Sequence, residues 1–125
     1  MEKHEKLRIF AGILLITSAI THVSQIFVHG TEIHTIFAAL FGLLYGILGV
    51  LIIYLRQKKI IAILGGTLPF IGGILGIRRL FLFFILVSGE INYFIIFHVI
   101  VDIIVIPICW YDFMKLRQNS AAIED

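Results

Sequence analysis

Residues 33–55, IHTIFAALFGLLYGILGVLIIYL, run without a single Asp, Glu, Lys or Arg, and the basic stretch RQKK of 56–59 follows at once. A segment of that length and polarity meets the ~20 apolar residues a helix needs to cross the hydrocarbon of a bilayer. Working outward, three more segments of the same kind can be drawn, at 7–28, 60–87 and 93–114. Composition agrees: 60% of the chain is hydrophobic and 14% charged, against the roughly one quarter charged of a soluble domain. The mean hydropathy is +1.06. The expected fold is therefore all-α, an integral membrane four-helix bundle forming one transmembrane domain over 1–125, in contact with lipid.

The connections are short. His29–Glu32 contains a glycine, 56–59 is basic, and Ser88–Glu90 holds a chain breaker. Short links make sequential helices antiparallel neighbours. The first segment is too long for a signal peptide and no small-residue cleavage site follows it, so it is expected to be retained. Lys3, Lys6 and Arg8 precede the first segment, Arg56, Lys58 and Lys59 join the second to the third, and Lys115 and Arg117 follow the fourth. The other two loops carry no Lys or Arg, so by the positive-inside rule both termini are expected in the cytoplasm of a cell-membrane protein. Trp110, Tyr111 and Tyr54 then fall near the cytoplasmic interface, where amphipathic rings are favoured. The basic residues form short clusters beside apolar spans rather than a basic face, which argues against nucleic acid as a partner. A lone Cys109 excludes an intrachain disulfide or a CxxC motif.

The third segment is rich in Gly and contains Pro69, which allows a kink, and it holds Arg78 and Arg79 inside the apolar run. Either one helix continues to Val87 with both arginines in the membrane, or it is broken near Arg78 and a short piece follows. The remaining glycines, Gly42, Gly46 and Gly49 among them, are read as points of close helix approach.

Four of the five histidines, His22, His29, His34 and His98, gather in the half away from the basic clusters. Ionisable residues inside a membrane are expensive and by default mark function. Counted at 1.5 Å per residue from the ends of their helices, His22 and His98 lie level, about 10 Å down. Asp102 is one turn deeper. Ser18, His22, Gln25 and His29 share one helical face, as do His98 and Asp102. These stripes are expected to turn inward and form a polar pocket between the first and fourth helices, with Glu32 and His34 near its mouth and Asn92 and Tyr93 at its rim. Phe37, Phe41 and Tyr45 are assigned to packing or lipid contact.

Two level imidazoles on separate helices are the minimal arrangement for six-coordinate haem b, which would make His22 and His98 cofactor ligands. With Asp102 they would also suit a transition metal. A purely structural reading makes the histidines helix-to-helix hydrogen-bond partners and gives Asp102 the charges of Arg78 or Arg79 to balance. No nucleophile and base can be assembled, so no catalytic activity of its own is expected. The chain reads first as a small accessory subunit of a larger membrane complex, of respiratory or monooxygenase-type oxidoreductase character, packed against other membrane subunits. The alternative is an independent, homo-oligomeric proton- or ion-coupled transporter using His98 and Asp102.

Overall fold

The computed structural model describes residues 3–55, 58–85 and 92–124. They form four helices and no strand: α1 Lys3–His29, α2 Ile33–Tyr54, α3 Lys59–Phe83 and α4 Tyr93–Glu124. Lipid offers the backbone no hydrogen-bond partner, so an apolar run in a bilayer satisfies its own amides as helix. All four are long and apolar enough to span a membrane. Even the shortest, α2 with 22 residues, measures about 33 Å at 1.5 Å per residue. Arg56, the Ser88–Glu90 turn and the last residues of the expected third segment lie outside the described residues.

Hydropathy places the helices well and their ends less well. α1 starts at Lys3 and α4 continues to Glu124, beyond the expected segments 7–28 and 93–114. Charged and polar residues such as Lys, Glu and Gln are good helix formers outside the bilayer, so a helix outruns its apolar part. Of the two alternatives for the third segment, the described residues form the continuous helix: α3 runs through Pro69, Arg78 and Arg79 without a break. α1 stops where Gly30 takes a φ of +76° and its amide reaches back to Ile26 O at 2.9 Å, a left-handed C-terminal stop that favours glycine. Asn92 starts α4, its side-chain oxygen accepting the amides of Phe94 at 3.0 Å and Ile95 at 3.3 Å.

Neighbouring helices run antiparallel. A methyl placed on Gly12 would meet Gly49 O, and one on Gly42 would meet His22 Cβ, so α1 and α2 descend past each other with their backbones nearly touching. α3 and α4 form a second close hairpin, with Gly65 against Cys109 and Gly76 against Val99. Small residues at such crossings replace the missing hydrophobic drive with close packing. α1 also packs on α4, while α2 and α3 share the thinnest seam. Leu15, Leu48, Ile52, Val101, Val105 and Cys109 fill the centre. Ile20, Phe27, Ile103 and Trp110 point outward and stay exposed, an apolar surface suited to lipid.

The end that carries both termini is closed by an ion pair. Arg8 donates from Nη1 to Asp112 Oδ2 at 3.0 Å, both side chains buried. Arg8 thus does more than mark topology: its charge is drawn inward and ties α1 to α4.

Candidate functional site

At the opposite half of the bundle the thin α2–α3 seam widens into a cavity of about 360 Å³. Phe37, Phe41, Leu75 and Ile95 give it apolar walls, Arg79 and His34 also face it, and His22, Gln25, His98, Tyr45 and Asp102 supply its polar lining. The pocket therefore lies between α2 and α3, with α1 and α4 as its back wall, and not between α1 and α4 as the helical faces suggested. The physical reason is close packing: the Ser18, Gln25 and His98 side chains bond to one another across the α1–α4 interface and fill it.

Each contact follows from a helical face. Ser18 and Gln25 sit two turns apart on α1 and hold the two nitrogens of the same ring: Ser18 Oγ lies 2.7 Å from His98 Nδ1 and Gln25 Nε2 lies 3.3 Å from His98 Nε2. With the Gln25 amide donating to Nε2, Nδ1 carries the ring proton and donates to Ser18 Oγ. His22, between them on the stripe, lays its ring flat on that of His98, centroids 3.5 Å apart and planes within 5°. His22 Nδ1 is buried without a hydrogen-bond partner. Gly42 permits this stack, because any side chain there would collide with His22 Cβ. His29, last in the stripe, is exposed and meets Phe94 edge-on at 5.9 Å.

Asp102 is 2% exposed, and Tyr45 donates its hydroxyl to Asp102 Oδ1 at 2.7 Å. Tyr45, 1% exposed, packs in the core as expected and, beyond that expectation, joins the polar network through its hydroxyl. The expected pairing of Asp102 with Arg78 or Arg79 is not formed: among the described residues no cation lies within 4.0 Å of its carboxylate. Asp102 packs at the level of Gly73, so Arg79 stands six residues, about 9 Å, nearer the mouth. Arg78 is exposed on the outer face of α3, whereas Arg79 is half-buried and turned toward the cavity. His34 pairs with Glu32 at 3.2 Å at the exposed rim.

The geometry does not fit the haem or metal expectation. Axial haem ligands approach iron through nitrogens lying in their ring planes, whereas these two rings meet face to face and both nitrogens of His98 are engaged. Among the described residues no group of three or more His, Cys, Asp or Glu could hold a metal ion.

Sequence reading located His22, His98 and Asp102 and missed Tyr45 and Asp112. Their signal was present: each is a polar group in an apolar helix, Asp112 one face-repeat below Cys109 and Val105, which are core residues. Comparisons with protein-family models, curated proteins and solved structures found no match. The chemistry of the cavity therefore carries the functional argument.

Proposed function

We propose that this is a proton-linked membrane carrier whose ligand enters the cavity between α2 and α3, with Asp102 as the group that takes and gives the proton. The observation that supports this reading is the Tyr45–Asp102 pair. It places a carboxylate inside a membrane domain, with no cation within 4.0 Å of it among the described residues, on the wall of a cavity of about 360 Å³. Intramembrane carboxylates and histidines of this kind mark proton relays, and the size falls in the range of small-molecule sites. The Arg8–Asp112 pair and the packed centre close the other end of the bundle, so the cavity reaches one side only. With the basic clusters cytoplasmic, that side is the exterior of the cell.

The test is proton uptake into vesicles loaded with a pH-sensitive dye and driven by a potassium diffusion potential. The native protein should exceed protein-free vesicles, and Asp102→Asn should fall to their level. Equal rates for the two proteins would overturn the reading.

The accessory-subunit reading keeps one specific support. On the outer face of α3 and α4, a groove of about 330 Å³ runs past Gly66, Phe70, Trp110 and Phe113, and a methyl on Gly66 would meet nothing within 4 Å. Small residues exposed in this way suit a neighbouring helix. Gentle extraction that yields stoichiometric larger membrane subunits would favour this reading over the carrier.

A further inference from the structure

Arg79 brings a positive charge to the cavity. It lies within the apolar span of α3, half-buried and turned toward the same space as Phe37, Phe41 and Leu75. Among the described residues no carboxylate comes within 4.0 Å of it. Glu32, the acid at the rim, is held by His34 at 3.2 Å, and Asp102 accepts the Tyr45 hydroxyl well below. Arginine in a membrane needs an anion, a carbonyl or water, and its planar fork matches a carboxylate better than any other partner. From Gly72, which packs against the Tyr45 hydroxyl, to Arg79 is seven residues of helix, about 10 Å. The walls along that distance are apolar on the α2, α3 and outer α4 sides, Phe37 and Phe41 from α2, Leu75 from α3 and Ile95 from α4, while Gln25 and His22 of α1 line the back.

We infer that the cavity binds a small single-chain carboxylate with an apolar body, its anionic head on Arg79 and its chain laid inward along Phe37, Phe41 and Leu75. The volume sets the upper bound. About 360 Å³ equals the liquid volume of roughly a dozen waters, enough for a short chain and too little for the body of a two-chain lipid. The unpartnered His22 Nδ1 and the Tyr45–Asp102 pair lie at the inner end, where a ligand with a second polar group finds hydrogen bonds. This assignment rests on the cavity being the ligand site of the proposed carrier, and it is tested by binding rather than by flux.

Octanoate, whose extended length is of the order of that channel, is the probe. Equilibrium dialysis against the full chain in phosphatidylcholine nanodiscs, corrected by empty discs, should show a saturable component for octanoate and none for octan-1-ol or octylammonium. Arg79→Gln should weaken it by about tenfold or more, the scale of losing one charge-assisted pair. Arg79→Lys should weaken it less, and Arg78→Gln, on the outer face, should leave it unchanged. Helical content and thermal unfolding of each variant show that it is folded, and Arg79→Lys keeps the charge if Arg79→Gln does not fold. Octanoate binding that ignores both Arg79 substitutions, or saturable binding of the alcohol or the amine, would overturn the assignment. So would displacement of octanoate by phosphatidylglycerol in the discs, because the anion would then be a lipid headgroup. Asp102→Asn separates the two readings: the proton claim requires it to abolish flux, whereas the carboxylate claim requires only that octanoate still binds to it.

Discussion

Tyr45 and Asp102 join the two helices that do not otherwise approach each other closely. α2 and α4 lie diagonally across the bundle, without the close backbone contact that links the neighbouring pairs, yet the Tyr45 hydroxyl reaches Asp102 Oδ1 at 2.7 Å through the interior. Removing the hydroxyl leaves a buried carboxylate oxygen without its donor, which costs about 1–3 kcal/mol. Tyr45→Phe should therefore lower the thermal unfolding midpoint in detergent measurably. Asp102→Asn combined with it should cost less than the two single changes added, as expected for groups in contact. Strict additivity in that cycle would show that the bond contributes nothing.

Gly72 guards the same bond. A methyl there would land on the Tyr45 hydroxyl, with Phe41 next to it, so the hydroxyl would have to leave its place on Asp102. Gly72→Ala should reproduce most of the Tyr45→Phe destabilisation and should add little to it in the double variant. Gly66→Ala, whose methyl meets nothing, should unfold at or slightly above the native midpoint, since alanine is the better helix former by about 1 kcal/mol. Equal behaviour of the two alanines would contradict this packing.

These relationships mark what could be read from the chain and what could not. Hydropathy suffices to find four helices because each span is apolar over the full thickness of a bilayer, and short links suffice to make them antiparallel. Face and depth likewise bring His22 to His98, since 3.6-residue periodicity and rise per residue are properties of one helix at a time. The location of the cavity is different in kind. It depends on how far α2 stands from α3, a distance set by Gly72, Gly65 and the bulk of Tyr45 and Ile52 together, and no periodicity encodes it. Arg79 illustrates the same limit: its helix was in view, but its height against Asp102 depends on the register between α3 and α4, where Gly73 rather than Arg79 faces the carboxylate.

The Arg8–Asp112 pair, 3.0 Å apart with side chains 7% and 3% exposed, makes a prediction at the other end. Removing one partner strands a buried charge, at a cost of about 3–5 kcal/mol. Arg8→Met and Asp112→Leu should each destabilise strongly, and the double variant should recover most of the loss because neither charge is then left alone. Asp112 Oδ1 already lacks a hydrogen-bond partner, so an apolar replacement removes an uncompensated atom as well. A double variant as unstable as the worse single one would mean the pair is needed for more than charge balance.

His98 and His22 occupy one stack but not one role. His98 is held through both nitrogens by Ser18 and Gln25, while the Nδ1 of His22 makes no bond. His98→Ala unpairs two side chains of α1 and removes the platform under His22, whereas His22→Ala uncovers a ring face and frees an atom that was already orphaned. The first should therefore lower the unfolding midpoint more than the second. Nitrogen NMR of the labelled protein should find His98 as a single tautomer with its proton on Nδ1. Ser18→Ala should disturb that preference by removing the acceptor, and His22→Ala should leave it in place because stacking does not choose between the nitrogens. A His98 tautomer that is mixed in the native protein, or one that follows His22 rather than Ser18, would show that the two hydrogen bonds do not hold the ring.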